Sequence, residues 1–268
     1  MEYLTMWRST IVLLLASMWL NITTTTTAAD WKIMMMTQRS TKSGEMSLKN
    51  YCESWRMNVE LNNIRDFSVV PSECTSYIGK YMTGTQFKVD SEATIDECTL
   101  YLNTLSCHLI KTDGKDAWIF DIDDTLLSTV PYYKKHGYGG EKLNVTELEE
   151  WMRKGKATAM DYSLRLYNDI KKRGIQIILV SSRREHLRAA TIDNLVNVGF
   201  YGWKSLHMRE DDNDMKTTVE EYKTHVRSEL IKDGYRIWGI LGDQWSSING
   251  IPTAKRAFKL PNSLYYVA

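Results

Sequence analysis

Residues 117–127 read Ala-Trp-Ile-Phe-Asp-Ile-Asp-Asp-Thr-Leu-Leu, an apolar run that stops abruptly in carboxylates. Bounded upstream by Asp113-Gly114-Lys115-Asp116, the run predicts a buried strand of a parallel sheet. Side chains two apart on an extended segment project to the same side, so Asp121 and Asp123 are expected to share one small volume at its carboxyl end. Like charges held that close resist joint ionisation, and one pKa should rise. Taken alone, an acidic turn capping the next helix explains these residues equally well. The rest of the chain has to decide.

Downstream, helix and strand patterns alternate. Helices are predicted from Thr146 to Met152, Ala159 to Lys172, Glu185 to Val198 and Thr217 to Lys232. Strands are predicted over residues 175–180, 205–208 and 235–241, with a last short one near Ala257. Such alternation implies an α/β fold built on a doubly wound parallel sheet, whose ligands bind outside the carboxyl ends of the strands. Asp121, Asp123, Ser181 and Asp243 all fall there. Ser182-Arg183-Arg184-Glu185 reads as a capping box, and the helix start it marks could bind an anion, with Ser181 the better hydroxyl. Lys223 and Arg227 sit four apart on one helical face; in isolation that is a solvated basic stripe. Residues 128–140 read as a loop, with His136 a solvated loop histidine. Tyr132, Tyr133 and Trp245 could line a substrate or simply pack.

A net charge of +1 over 268 residues offers no broad field for nucleic acid or an anionic membrane. Arg8, the short apolar run from Ile11 to Leu20 and the small residues Ala28-Ala29 predict a secretory signal over residues 1–29, with a loosely ordered lead-in over 30–47. An N-terminal helical layer follows over 48–110, and the α/β core spans 111–268. The layer carries Cys52, Cys74, Cys98 and Cys107, an even count that fits an oxidising compartment and leaves three pairings open. Asn144-Val145-Thr146 is a glycosylation acceptor.

Several acids around one spot suit a hard cation, and Mg²⁺ takes one or two carboxylates, waters and phosphate oxygens. With Ser181 and Lys223 as donors to a phosphoryl group, the set reads as phosphoryl transfer. Asp121 would attack phosphorus and Asp123 would move the proton.

Asp121-Ile122-Asp123-Asp124-Thr125, Ser181, Lys223 and Gly242-Asp243 occur in the order of the four motifs of the haloacid dehalogenase superfamily. More narrowly, Tyr51-Cys52-Glu53-Ser54-Trp55, Val130-Pro131-Tyr132-Tyr133, Gly242-Asp243-Gln244-Trp245-Ser246 and Lys259-Leu260-Pro261-Asn262 resemble the plant acid phosphatase and vegetative storage protein family. The resemblance runs from about Tyr51 to the last residues. It implies a Rossmann-like core and a glycosylated, secreted or vacuolar, Mg²⁺-dependent acid phosphatase. Asp121 would be the nucleophile, Asp123 the acid/base and a backbone metal ligand, and Asp243 a metal ligand; Asp121 also faces the metal, and Ser181 and Lys223 bind phosphate. The expected partner is a small phosphomonoester and at most a second copy of the chain, with no nucleic acid and, once the signal is cleaved, no membrane. Two departures stand out. Ser182 replaces a glycine of the second motif, and Ser247 stands where many members carry a second acid after Asp243, which would weaken Mg²⁺ or loosen Lys223. A storage or binding protein with vestigial activity is the alternative on the same scaffold.

Overall fold

The computed structural model describes residues 47–105, 109–111, 113–210 and 217–268. The expected signal segment, nearly all of the lead-in and Cys107 lie outside them. Five strands, β1 (Asp116–Phe120), β2 (Gln176–Arg184), β3 (Ser205–Arg209), β4 (Arg236–Gly242) and β5 (Arg256–Lys259), form one sheet in the order β3-β2-β1-β4-β5. Every neighbouring pair is parallel, so the fold is the α/β doubly wound sheet. β1 is central and buried along its whole length, as its unbroken apolar run requires. The strand order reverses between β1 and β4, which opens a crevice at their carboxyl ends.

Helices cover both faces. α1 (Leu48–Glu60), α2 (Thr75–Met82) and α3 (Thr85–Thr104) precede the sheet, with Cys52 and Cys74 joined in a disulfide and Cys98 buried without one. Tyr101 of α3 reaches the sheet, its ring 6.2 Å from Trp118 and 5.9 Å from Phe258, and its hydroxyl donates to the Trp238 carbonyl at 3.1 Å. Trp118 stacks on Phe258 at 5.7 Å, and Gly239 makes room, since a Cβ there would lie 2.5 Å from the indole. Between the strands run α4 (Val130–Lys135), α5 (Val145–Arg153), α6 (Asp161–Lys172), α7 (Arg188–Asn197), α8 (Val219–Lys232) and α9 (Trp245–Ile248). Val226 and Leu230 of α8 pack on Ile119, Ile178, Val180 and Ile240. Thr218 and Glu221 start α8 with a full capping box.

At the amino end of the sheet, Arg236 donates to Asp116 at 2.8 Å and to Asp113 at 2.6 Å, and the Trp238 indole N–H donates to Asp116 at 2.6 Å. Burial pushes the Asp116 carboxyl up, but these bonds outweigh it and hold it below its ordinary value. They tie β1 to β4 at the end remote from the crevice.

Four expectations are corrected. The loop after β1 contains α4, with Pro131 in its first turn, where a missing N–H costs nothing. β2 runs on to Arg184, which pairs with Arg209 of β3. The capping box at Ser182 therefore does not form: α7 begins only at Arg188, and the Glu185 carboxylate instead accepts from Arg188 at 2.8 Å. Finally, Lys223 and Arg227 are no solvated stripe, being 3% and 1% exposed. His136 is also less free than a loop histidine, contacting Glu141 at 3.1 Å and Glu147 at 3.6 Å.

Gly139 sets the position of the chain's last segment. Its φ is +82°, and a Cβ would run into the Leu264 carbonyl and come within 2.9 Å of Val70. Gly139→Ala is expected to cost about 2–3 kcal/mol through strain and overpacking, read as a lower urea midpoint at unchanged slope.

Candidate active site

Asp121 follows β1 directly and its N–H donates to the Leu241 carbonyl of β4 at 3.0 Å, so the two strand ends hold it from both sides. Its carboxylate is buried. Oδ1 accepts the Ile122 N–H at 2.8 Å. Oδ2 lies 2.6 Å from Lys223 Nζ and accepts the Ser247 hydroxyl at 2.6 Å. Lys223 also donates to Ser247 Oγ at 2.9 Å.

Asp123 has a different partner. Arg183 of β2 grips it with Nε at 3.0 Å from Oδ2 and Nη2 at 2.7 Å from Oδ1, while Nη1 donates to Thr191 of α7 at 3.0 Å. The two acids border one cavity as expected, but each has its own cation. The chain leaves the extended conformation after Phe120 and turns at Asp124, whose φ is +46°, and this sends the two carboxylates to different neighbours.

The carboxyls whose pKa rises are Asp124 and Asp243. Asp124 is fully buried and is raised first by burial and then by the charge of Asp243. Asp243, 1% exposed, is raised by burial and then by Asp121. Donors ring both. Thr129 N–H reaches Asp124 at 2.8 Å, with a second bond from its hydroxyl. Tyr265 OH bridges Asp124 at 2.8 Å and Asp243 at 3.2 Å. Asp243 also accepts from the Asn262 amide at 2.7 Å and from the Gln244 amide at 3.1 Å. These donors lower each pKa, and Lys259 lowers that of Asp243 from a distance, yet burial dominates.

Asp121, Asp123, Ser182, Lys223, Asp243, Ser247 and Tyr265 line a cavity of about 20 Å³, so five distant pieces of chain converge there. Ser181 is not among the lining residues: it is fully buried, its Oγ accepting the Arg183 N–H at 3.1 Å, and Ser182 is the β2 serine that lines the cavity. A larger apolar cavity of about 160 Å³ opens from Asp123 and Ser182 past Tyr133, Leu143, Leu148, Met152, Tyr265 and Val267. Tyr133 stacks on Tyr265 at 5.0 Å, whereas Tyr132 packs on His136 and Trp151 and Trp245 bonds the Glu60 carbonyl at 3.1 Å. Asn144 is exposed, and its Oδ1 caps α5 at the Glu147 N–H, 3.3 Å away. Arg183, Asp124 and Tyr265 were assigned no role from sequence alone.

Among the described residues no three His, Cys, Asp or Glu side chains form a metal cage. A hard cation does not need one: two carboxylates, a carbonyl and outside oxygens suffice for Mg²⁺. Asp121 and Asp243 offer oxygens in each other's field, with negative charge that only Lys223 offsets by contact, and this donor set fits such an ion.

A family model described as HAD superfamily, subfamily IIIB (acid phosphatase) matches residues 36–268. Acid phosphatase 1 of Solanum lycopersicum is 39% identical over 81% of this chain and 83% of its own. The stem 28 kDa glycoprotein of Glycine max is 41% identical over 81% and 84%, and vegetative storage protein 1 of Arabidopsis thaliana 40% over 81% and 78%. Among solved structures, the class C acid phosphatase of Bacillus anthracis with tungstate bound shares the fold at a TM-score of 0.60 and 20% identity, covering 73% of this chain and 86% of that one.

Proposed function

Because the chain belongs to the subfamily IIIB acid phosphatases of the haloacid dehalogenase superfamily, we propose that it hydrolyses small phosphomonoesters at Asp121 with the help of Mg²⁺. The observation that carries this reading is the Asp121 carboxylate, buried, ion-paired to Lys223 at 2.6 Å and facing one small cavity with Asp123 and Asp243. Asp121 attacks phosphorus, the P–O bond to the organic group breaks, and Asp123 gives that oxygen a proton. Water then attacks the aspartyl-phosphate, Asp123 takes its proton, and orthophosphate leaves with Asp121 restored. Lys223 and Ser181 hold the phosphoryl oxygens, Ser182 adds a hydroxyl at the cavity, and Arg183 keeps Asp123 aimed. The Asp121 and Asp243 side chains and the Asp123 carbonyl would hold the cation, which when bound neutralises charge on the phosphoryl group. The organic part of the ester would lie in the apolar cavity beside Tyr133 and Tyr265.

A secretory route is supported by the Cys52–Cys74 disulfide and by the exposed acceptor Asn144. No helix of the described residues is long and apolar enough to cross a membrane. Ser247 favours a second reading, weak turnover in a storage protein, taken up below.

Hydrolysis of an aryl phosphate with Mg²⁺, lost with a chelator and restored by the metal, is the expected result; equal rates in both would remove the cation from the scheme, and no rate at any pH would remove the reaction. Melting adds an independent reading. The buried Asp124 and Asp243 have folded pKa values above the roughly 3.9 of an unfolded Asp. Above that unfolded value the folded chain binds more protons, so metal-free stability falls as pH rises toward neutrality. Tm without metal is therefore expected to be higher near about pH 5 than near about pH 7.5, and saturating Mg²⁺ should raise it more at the higher pH, because the ion takes over the charge compensation that protons supply at the lower.

A further inference from the structure

Lys223 and Arg227 lie one turn apart on α8 and are 3% and 1% exposed. Among the described residues the carboxylate touching Lys223 is Asp121, and Arg227 touches none. The Arg227 guanidinium donates instead to neutral oxygens: the Pro252 carbonyl at 2.8 Å, the Ser247 carbonyl at 3.4 Å, Thr224 Oγ1 at 2.8 Å and the Asn249 carbonyl. Burial pulls the Arg227 pKa down to about 10, with Glu220 opposing from a distance, so the group stays charged. Two buried cations thus share one contacting carboxylate around a void of about 10 Å³ lined by Asp121, Lys223, Arg227 and Ser247.

Ser247 stands at the junction. Its Oγ accepts from Lys223 at 2.9 Å and donates to Asp121 Oδ2 at 2.6 Å, yet it contributes no charge. Of the two effects expected from the missing acid, its hydrogen bonds bear directly on Lys223 and on the Asp121 oxygen that Lys223 holds. The imbalance has two consequences. Arg227, buried without a contacting carboxylate among the described residues, favours an anion held close to it, in a surrounding where Coulomb attraction is weakly screened. The Asp121 oxygen meanwhile carries two donors that must release it before it can attack, and binding that is equally good before and during reaction does not raise kcat.

We propose that Ser247 is a positioning residue that, by being neutral, tunes this site to retain phosphate at the expense of turnover. The retention half stands on charge alone; the turnover half rests on Asp121 being the nucleophile.

The test uses the full Mg²⁺-loaded chain carrying Ser247→Asp or Ser247→Asn, with orthophosphate affinity read by titration calorimetry and kcat by steady-state hydrolysis. The acid should draw Lys223 off Asp121, weakening phosphate binding by at least about tenfold, or about 1.4 kcal/mol, while kcat rises. The amide, similar in bulk and uncharged, should leave phosphate affinity within about twofold. An unchanged phosphate Kd in Ser247→Asp, the same loss in Ser247→Asn, or a fall in affinity and kcat together would overturn the proposal. Should Ser247→Asp fail to fold by circular dichroism, Arg227→Gln removes one of the two cations without touching Asp121. It should weaken phosphate by several fold, and an unchanged Kd there sinks the idea equally. Because calorimetry needs no turnover, a chain that hydrolyses nothing but shows this charge dependence would refute the hydrolase reading and leave retention standing.

Discussion

Asp121→Asn is expected to lower kcat by more than about 10⁴-fold while leaving the chain folded. Asparagine keeps the shape of the side chain, and its one carbonyl oxygen can still accept the Ile122 N–H while its NH2 faces the Ser247 hydroxyl as a donor; the attacking carboxylate oxygen is gone, so the loss of rate is one of nucleophilicity. A cost in stability comes with it, since Lys223 would lose its contacting carboxylate and become a third-party charge in a buried site. Rapid acid quenching of the native enzyme during turnover of a ³²P-labelled ester should leave label on Asp121, and the variant should carry none. Label on another residue, or full activity in the variant, would remove Asp121 from the reaction.

The second large effect concerns Arg183. Its side chain is 1% exposed and that of Asp123 14%, so Arg183→Met strands a carboxylate with little water to replace the guanidinium. Breaking such a pair costs about 3 kcal/mol or more, and the freed Asp123 would no longer be aimed into the cavity, so kcat should fall along with the unfolding free energy. Arg183→Lys keeps the charge but not the two-pronged grip and should recover part of the stability and little of the rate. Adding Asp123→Asn to Arg183→Met removes the stranded charge, and the pair should be more stable than the single variant, a non-additivity read from urea titrations. Equal stability of Arg183→Met and the native chain would mean that the ion pair has no structural weight.

The comparison of sequence with structure divides along the range of the interactions involved. β1, β2 and β4 were legible because each is built on a short apolar run, and in β1 the run from Ala117 to Phe120 is buried throughout. Asp121, Asp243 and Lys223 were legible because the topology of a parallel sheet forces strand ends and crossover helices to meet. Arg183 was not, since a second-motif arginine beside a predicted helix cap gave no hint that β2 continues to Arg184 and faces Asp123. Tyr265, 141 residues beyond Asp124, is one of three consecutive tail residues of ordinary appearance; only the docking of that tail against Gly139 brings its hydroxyl between two acids. The carboxyls of Asp124 and Asp243, raised by burial, were not singled out from sequence, because alternation on a strand predicts which way a side chain leaves the backbone and not which neighbours bury it.

The sheet's two borders bear on how copies of the chain behave when crowded. β3 and β5 are only five and four residues long, and β5 carries Arg256 and Lys259, tied to Glu97 at 3.1 Å and Glu60 at 2.7 Å. A short border studded with cations is a poor template for another chain's backbone. Strand-to-strand addition of a second copy is thereby disfavoured, which is a property of the rim and owes nothing to the chemistry in the crevice.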